Sequence, residues 1–213
     1  TISYAFGDKN KEAFENWMKE VAAHIRSLDS NHLISSGSEG IAGSEFDKEL
    51  YERIHTMSDI DYFTLHIWPL NWGWINGENM KDSLDVCIER TNQYITEHIE
   101  LGNKYQRPVV IEEFGMPRDG RKFQLAIPTE CRDKYMENVF KQIVYSSHNN
   151  GTLAGCNFWA WGGFGRPTSE HIYWQYGDAY LGDPAQEEQG LNSVFDVDST
   201  IPLIYKYANQ LKK

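Results

Sequence analysis

Residues 107–115, with the sequence Arg-Pro-Val-Val-Ile-Glu-Glu-Phe-Gly, constrain the fold of this chain more than any other stretch. Three β-branched residues in a row lead directly into two adjacent carboxylates. This pattern is typical of a buried parallel strand that carries an acid at its C-terminal end. Successive side chains of a strand point to opposite faces, so we expect only one of Glu112 and Glu113 to face the interior. A buried carboxylate at such a position either takes part in chemistry or is held in a structural ion pair.

Helix and strand patterns alternate along the rest of the sequence. One helix is followed four times by a strand and then a helix, which is typical of β/α units that build a parallel sheet. Gly102 follows the third helical pattern, and we expect it to cap that helix. The predicted helices cover about residues 10–28, 46–54, 80–101, 128–148 and 202–211, and the predicted strands cover residues 33–37, 60–68, 107–115 and 153–161.

The loops that follow the predicted strands are long and carry Gly, Trp and acidic residues. In a (β/α)8 barrel the active site lies at this end of the strands. Such barrels have eight strands in about 250 residues, whereas this chain of 213 residues shows four strand patterns. We therefore predict an α/β fold of the (β/α)8 TIM-barrel type, of which residues 1–213 form the C-terminal half of a single domain. Thr1 is not an initiator residue, so we expect that upstream sequence is missing.

The composition excludes several classes of partner. The net charge of −11 argues against nucleic acid and against an anionic membrane surface, because both require a basic protein surface. No stretch is long and apolar enough to span a bilayer. The three cysteines, at positions 87, 131 and 156, lie far apart and lack the spacing of a metal site. We expect buried free thiols, with one disulfide as the alternative.

Side chains that suit a sugar ligand gather at the ends of the four predicted strands. Aromatic rings pack on the C–H faces of a pyranose, carboxylates and imidazole bind its hydroxyl groups, and a carboxylate can attack the anomeric carbon. The candidate residues are Glu39, His66, Trp68, Glu113, Trp159 and Trp161.

Each of these residues also has a structural interpretation. A histidine such as His66 is more often a hydrogen-bonded structural residue. Trp159 and Trp161, which we expect to share one face of a strand, could simply pack in the core. Glu39 could be a solvated loop acid, and Glu113 could form a salt bridge at the end of its strand. The combination of these residues at successive strand ends favours a functional site.

Four motifs resemble the strand ends of glycoside hydrolase family 5, in clan A. The motif at 109–115, Val-Val-Ile-Glu-Glu-Phe-Gly, resembles the seventh strand of that barrel, and Phe-Thr-Leu-His-Ile-Trp-Pro at 63–69 resembles the sixth. Asn-Phe-Trp-Ala-Trp-Gly at 157–162 resembles the eighth, and residues 31–40 look like the fifth. The segment 60–72 is most similar to the endo-β-1,4-mannanases of the family. The resemblance covers essentially the whole chain.

The resemblance implies roles for individual residues. Glu113, directly before Phe-Gly, matches the catalytic nucleophile, and Glu112 would then point outward. His66 matches the histidine that hydrogen-bonds within the site, and Trp159 matches the tryptophan beneath the cleaved sugar. Many relatives carry a tyrosine where this chain has Trp68, so support of the nucleophile by that hydroxyl is lost or comes from elsewhere. Residues expected to contact substrate are Glu39, Trp68, Trp72, Trp159 and Trp161.

The family's second carboxyl group, the general acid and base, belongs to an Asn-Glu-Pro motif, and this sequence contains no Asn-Glu pair. The resemblance therefore implies a retaining endo-β-1,4-mannanase whose acid and base lies outside the sequence, without a metal or an organic cofactor. The N-terminal half of the barrel is the expected protein partner, and a β-mannan the expected substrate. We expect the isolated half to have little activity.

Two alternatives remain open from the sequence. The substrate could be cellulose, xylan or another β-glycan, because the strand-end motifs are shared and the loops determine specificity. The chain could also be a non-catalytic carbohydrate-binding barrel half, which would bind oligosaccharides through its tryptophans without hydrolysing them. Since polymeric glycans usually occur outside the cytoplasm, we expect a secreted, periplasmic or cell-surface protein.

Overall fold

A computed structural model describes residues 8–211, so the ends of the predicted domain, 1–7 and 212–213, lie outside the described residues. Helices and strands follow the predicted order with three differences: the first strand pattern forms no strand, the last is divided in two, and β5 was not predicted. The α-helices are α1 (Asp8–Leu28), α2 (Lys48–His55), α3 (Met80–Tyr105), α4 (Glu130–His148) and α5 (Thr200–Leu211), and the strands are β1 (Phe63–Ile67), β2 (Val109–Phe114), β3 (Leu153–Phe158), β4 (Trp161–Gly163) and β5 (Val194–Phe195).

Strands β1, β2 and β3 form a parallel sheet in that order, as the alternation of strand and helix patterns predicts. The helices α3 and α4 cover one face of this sheet, and the largest hydrophobic core lies between them and the strands. Phe63, Leu65 and Ile67 of β1 are fully buried. Because the strands are parallel, their C-terminal ends meet at one edge, and the loops that follow them share that edge.

The segment 33–37 is not a strand, and this prediction was wrong. It runs beside β1 but is joined to it largely through side chains. The Asp61 carboxylate accepts the Ile34 N–H at 2.6 Å, and Thr64 Oγ1 donates to the Ser38 carbonyl at 2.9 Å. A strand needs a regular backbone ladder, and these side-chain bonds satisfy backbone groups in its place. The segment remains in the expected position without forming a ladder.

The last strand pattern, 153–161, divides into two strands. The break lies at Trp159 and Ala160, which are joined by a cis peptide bond. Trp159 N–H still bonds to the Phe114 carbonyl of β2 at 2.8 Å, whereas Val194 N–H bonds to the Ala160 carbonyl at 2.8 Å. The chain therefore leaves β2 at this point and pairs with β5 instead. Trp159 and Trp161 consequently do not belong to one strand, contrary to the prediction.

Gly102 does not cap α3, which continues to Tyr105. The residue that ends the helix is Gln106, which has a left-handed conformation and donates its N–H to the Gly102 carbonyl. Gly102 instead allows a close approach to the sheet, because a Cβ atom there would lie 2.5 Å from Val109 Cγ2. Glycine is therefore required at position 102 for packing against the sheet, and not for ending the helix.

A cluster of buried charges connects the loop after β2 to the segment around β5. We call Arg118, Arg132 and Asp198 the arginine cluster. Asp198 pairs with both guanidinium groups, and its contact with Arg132 measures 3.3 Å. Arg132 also donates to the Met116 carbonyl at 2.7 Å and to the Ser193 carbonyl at 3.1 Å. The cluster thereby fixes two loops that lie beside the strand ends.

All three cysteines are free thiols, as predicted. Burial raises the pKa of the Cys131 thiol to about 11 and that of Cys87 and Cys156 to about 12. They therefore stay protonated at neutral pH and behave as small apolar side chains. Among the helices that the structure describes, none has the length and apolar character needed to cross a membrane.

Candidate active site

A cavity of about 780 Å³ lies at the C-terminal ends of the parallel strands. This volume falls within the range of about 300–1,000 Å³ that is common for small-ligand sites. Four of the seven residues predicted from the sequence line it, and they come from three different loops and from the end of β2. These four are Glu39, Trp68, Glu113 and Trp159.

His66 lies between the two adjacent glutamates, and we call His66, Glu112 and Glu113 the histidine cluster. His66 Nδ1 is 3.2 Å from Glu113 Oε2, and its Nε2 is 3.8 Å from Glu112 Oε2. The strand register shifts between Leu65 and His66, so that His66 pairs with Glu113. This irregularity lets both carboxylates reach one imidazole, where strict alternation would separate them.

Glu112 does not point outward, and that prediction was wrong. Its Oε1 accepts hydrogen bonds from Ser35 Oγ at 2.9 Å and from Tyr62 Oη at 3.0 Å. Only 18% of its side chain is exposed, compared with 31% for Glu113. Glu112 is therefore held by its neighbours, whereas Glu113 lines the cavity. Of the two acids, Glu113 is the one that a ligand can reach.

The charges of the histidine cluster stabilise one another. Burial lowers the pKa of His66, but the contacts with Glu112 and Glu113 outweigh it and raise this pKa to about 9. The hydrogen bond from His66 lowers the pKa of Glu113, against an opposing effect of burial. Burial raises the pKa of Glu112, but hydrogen bonds from His66, Ser35 and Tyr62 bring it below its ordinary value. At neutral pH the imidazole is thus a cation between two carboxylates.

Trp68 supports Glu113 directly. A side-chain hydrogen bond from Trp68 adds to the effects that lower the pKa of Glu113. An indole N–H is a donor like the tyrosine hydroxyl, so we expect Trp68 to take its place at this position. The Trp68 ring meets the Trp159 ring edge to face, with their centroids 6.2 Å apart. The two rings form an aromatic surface beside the carboxylate.

Gly115 permits this arrangement. A Cβ atom at this position would lie 2.7 Å from the Trp159 carbonyl oxygen and 2.9 Å from Cζ3 of Trp68. Both distances are too short for a side chain, so only glycine lets the two tryptophans approach the end of β2. The glycine of the Glu-Glu-Phe-Gly motif is therefore required by packing around the carboxylate.

The loop that carries Glu39 is anchored from α3. Tyr94 Oη donates to the Glu39 carbonyl at 2.7 Å and accepts the Ala42 N–H at 3.0 Å. Gly40 has a φ of +89°, and a Cβ atom there would lie 2.5 Å from Nε2 of His98. These contacts hold the Glu39 backbone at the rim of the cavity.

Three predicted residues do not line the cavity. His66 lies behind the lining, in contact with Glu113, and the other two are Trp72 and Trp161. Trp72 packs on Trp74, with ring centroids 4.8 Å apart, and on Tyr94, with centroids 5.4 Å apart. Its partial burial against the core is explained by these contacts. Trp161 lies in β4 with 55% of its surface exposed. Neither residue lines the cavity, and their contact with substrate stays a prediction.

Sequence reasoning missed the wall formed by the long loop after β4. Glu188 forms an ion pair with Arg121, which belongs to the loop after β2, so the pair joins two loops at the cavity. Burial, together with the charges of Asp183 and Glu113, raises the pKa of Glu187. The only available signal was that these loops are long and follow strands. The residues that were missed are Leu70, Asn71, Arg121, Tyr173, Pro184, Gln186, Glu187, Glu188, Leu191 and Asn192.

The arrangement combines an ionised carboxylate, a cationic imidazole behind it and two tryptophan rings beside it. Such a carboxylate can act as a nucleophile or as a base, and the rings offer apolar faces to a sugar. Within residues 8–211, no group of three or more His, Cys, Asp or Glu side chains could hold a metal ion.

Comparisons with known proteins show the family of this chain. A family model described as GH family 5 beta-mannosidase-like matches residues 4–213. The chain belongs to glycoside hydrolase family 5. The resemblance carried by the strand-end motifs is thereby confirmed, and the described strands and helices are part of a (β/α)8 barrel. Residue-level roles remain predictions.

Individual relatives are longer than this chain. Mannan endo-1,4-beta-mannosidase 1 of Arabidopsis thaliana is 31% identical over 159 residues, which are 68% of this chain and 37% of that protein. The family 5 mannosidase of Rhizomucor miehei is 33% identical with a TM-score of 0.82, over 92% of this chain and 48% of that chain. The endo-beta-1,4-mannanase of Thermotoga petrophila, at 22% identity and a TM-score of 0.59, shares the fold over 96% of this chain and 41% of that chain. This chain of 213 residues thus spans less than half the length of each of these three proteins.

Proposed function

We propose that the cavity is the nucleophile half of a site that hydrolyses β-1,4-mannosidic bonds with retention of configuration. The observation that carries the proposal is the position of Glu113. Its carboxylate is accessible in the cavity, is held ionised by His66, and lies beside the rings of Trp68 and Trp159. Membership in family 5, together with the names of its relatives, supports mannan or glucomannan as the substrate.

In this mechanism Glu113 Oε attacks the anomeric carbon while the bond to the leaving oxygen breaks. A general acid protonates that oxygen, and a glycosyl-enzyme ester remains on Glu113. The same acid, now a base, removes a proton from water, which attacks the anomeric carbon and releases Glu113 as a carboxylate. Two inversions give net retention of configuration.

The histidine cluster serves the first step. A nucleophilic carboxylate must be ionised, and the protonated imidazole favours that state. His66 also fixes the orientation of Glu113 through the 3.2 Å contact. Glu112 balances the second side of the imidazole, so that the cation is paired on both nitrogens. We assign His66 and Glu112 positioning roles and reserve the covalent step for Glu113.

The general acid is proposed to lie outside this sequence, on the other half of the barrel. In retaining enzymes the two carboxyl groups are about 5–5.5 Å apart, and the chain has no Asn-Glu pair to supply the second. The N-terminal half is therefore the proposed partner. We expect the 213-residue chain alone to hydrolyse mannan very slowly and to gain activity when that half is added.

A second candidate is an exo-acting β-mannosidase. It is favoured by the description of the family model as beta-mannosidase-like and by the Rhizomucor miehei mannosidase, which has a TM-score of 0.82. The Arg121–Glu188 pair, which joins two loops at the cavity, is consistent with a site closed at one end. Endo- and exo-action differ in their products and not in the role of Glu113.

The test uses the full-length protein, by which we mean this chain together with the proposed N-terminal half of the barrel. Its substrates are ivory-nut mannan, konjac glucomannan, carboxymethyl cellulose and xylan. An endo-mannanase lowers the viscosity of glucomannan early and releases mannooligosaccharides, whereas an exo-mannosidase releases mannose with little change in viscosity. Proton NMR of the first product should show the β-anomer. A faster reaction on cellulose or xylan, or a first product with the α-anomer, would contradict the proposal.

A further inference from the structure

A second cavity lies between α3 and α4, away from the candidate active site. Its volume is about 580 Å³. It is lined by residues from the C-terminal ends of both helices and by Gly151 and Thr152, which directly precede β3. This cavity therefore sits near the N-terminal ends of the strands, at the opposite end of the sheet from Glu113. We call it the α3–α4 groove.

The groove presents amide groups whose orientation is fixed by their own hydrogen bonds. Asn138 Nδ2 and Gln142 Nε2 both donate to Asn92 Oδ1, at 2.7 and 2.9 Å. Asn149 Nδ2 donates to the Tyr145 carbonyl at 2.7 Å. The side-chain oxygens of Asn138, Gln142 and Asn149 are thus left as acceptors, with no hydrogen-bond donor among residues 8–211.

Two further polar groups complete the lining. Asn103 Oδ1 accepts from Thr152 Oγ1 at 3.0 Å, which leaves the Asn103 amide NH₂ as a donor. Ser146 is 7% exposed, and its buried Oγ has no hydrogen-bond partner within the described residues. A buried hydroxyl without a partner is costly, and a ligand or water that bonds to it would relieve that cost.

Tyr145 supplies an aromatic face at the groove. It is 72% exposed, although it is a large ring on a helix that packs against the sheet. Aromatic rings pack well on the C–H faces of sugars and keep a polar edge in water. An exposed ring beside several amide groups is a combination that suits a carbohydrate.

The charge of the lining argues against an ionic ligand. Lys141 is the one charged residue of the lining, and it pairs with Glu137 at 3.3 Å. No carboxylate lines the groove to hold a cation, and the amide oxygens would repel an anion. A neutral ligand with several hydroxyl donors fits this set of groups.

We propose that the α3–α4 groove is a second carbohydrate-binding site, which takes a short segment of a neutral β-glycan chain. That the glycan is a β-mannan rests on the proposed function, whereas the existence of the groove site does not. Such a site would hold polymeric substrate against the protein while another segment occupies the cavity at Glu113. Linked binding of this kind raises affinity for a polymer without raising it for a single sugar.

The test is affinity electrophoresis of the 213-residue chain in native gels that contain konjac glucomannan, with dextran gels as the reference. Trp159→Ala weakens binding at the cavity. The retardation that remains in this variant is then due to the α3–α4 groove. In that background we expect Tyr145→Ala to raise the apparent Kd by about three- to tenfold. Tyr145→Phe should keep most of the affinity, because the ring remains.

Tyr205→Ala is the matched control, since Tyr205 is another exposed tyrosine, at 69%, on α5. It should leave retardation unchanged. Soluble mannotetraose should compete with the gel polymer, because a groove of this volume holds only a short segment. Failure to compete, an unchanged Kd after Tyr145→Ala, or an equal loss after Tyr205→Ala would overturn the groove site.

The same gels separate this inference from the proposed function. If Trp159→Ala alone abolishes all retardation, the groove does not bind glycan, and the cavity at Glu113 remains supported. If Trp159→Ala has no effect while Tyr145→Ala removes retardation, the groove is confirmed and the proposed function of the cavity is contradicted.

Discussion

The histidine cluster and the arginine cluster are both made of buried cations paired with carboxylates, and both involve the end of β2 or the loop after it. Their surroundings differ. The side chain of Glu113 is 31% exposed and faces a cavity beside two tryptophans, whereas Arg132 and Asp198 are 0% and 2% exposed. Arg132 of the arginine cluster donates hydrogen bonds to the Met116 and Ser193 carbonyls, so this cluster is bound to the backbone and not open to a ligand.

This contrast shows that buried charge alone does not identify a site. Structural ion pairs and catalytic groups both perturb titration and both cost desolvation. What distinguishes the histidine cluster is an accessible carboxylate with an apolar ring surface next to it. We therefore expect substitutions at the accessible Glu113 to change activity and substitutions in the closed arginine cluster to change stability.

The largest effect is expected for Glu113→Gln in the full-length protein. The amide cannot form the glycosyl ester, so kcat on mannan should fall about 10³-fold or more. Oligosaccharide binding should persist, since the tryptophans remain. Glu112→Gln is the matched control, and it should cost about tenfold at most, because this residue acts through His66. A larger loss for Glu112 than for Glu113 would reverse the assigned roles.

The second effect concerns stability. Asp198→Ala leaves the buried Arg118 and Arg132 without their ion-pair partner, so the free energy of unfolding should fall by about 3–5 kcal/mol. Urea unfolding, followed by tryptophan fluorescence, measures this change. Asp196→Ala removes a more exposed ion pair, with Arg166, and should cost less than about 1 kcal/mol. An equal loss in the free energy of unfolding for the two variants would show that the arginine cluster does not stabilise the fold.

The third effect arises from the packing at Gly115. Gly115→Ala places a methyl group against Trp159 and Trp68 and should destabilise the chain by about 1–3 kcal/mol. The displaced rings should also weaken mannooligosaccharide binding in a fluorescence titration. Gly155→Ala is the control, because nothing lies within 4 Å of its Cβ position in β3. Normal binding by Gly115→Ala would show that the two rings are not placed by this glycine.

The smallest effect is a dependence of stability on pH. The folded-state pKa of His66 is about 9, above its ordinary 6.5. Its contribution is therefore complete below about pH 6.5 and is lost as the pH rises through 9, by about 1–3 kcal/mol. The lowered pKa values of Glu112 and Glu113 act in the opposite direction, so their contribution is lost as the pH falls through those values.

Urea unfolding between pH 6 and 10 checks this prediction. His66→Gln should flatten the alkaline decline, whereas the exposed His148→Gln should retain it. An unchanged slope after His66→Gln would show that the imidazole is not paired as the geometry indicates.

The sequence predicted the parts that depend on local pattern. The run of β-branched residues placed β2 correctly, and the Glu-Glu-Phe-Gly motif located Glu113 at its end. The prediction that side chains alternate between the two faces of β2 was wrong at Glu112, because the register shift next to His66 redirects the Glu112 side chain. Such irregularities depend on neighbouring strands and leave no signal in a single strand.

Long-range partners could not be read from the sequence. The segment 33–37 has the composition of a strand, yet it makes one backbone bond to Asp61, and its other bonds to Asp61 and Thr64 involve side chains. The Arg121–Glu188 pair joins residues 67 positions apart in loops without periodicity. Trp72 and Trp161 share the residue type of the site tryptophans but are placed elsewhere by packing and by the break at Ala160. Residue type alone did not show which tryptophans line the cavity.

The most direct test of the account is covalent trapping with 2-deoxy-2-fluoro-β-mannosyl fluoride on the full-length protein, followed by peptide mass spectrometry. Fluoride leaves without protonation, and the second fluorine slows release of the ester, so the nucleophile is labelled and retained. We expect one label per chain, on Glu113, and we expect free mannooligosaccharide to prevent the labelling. A label on Glu112 or Glu187, or no label on a protein that hydrolyses mannan, would contradict it.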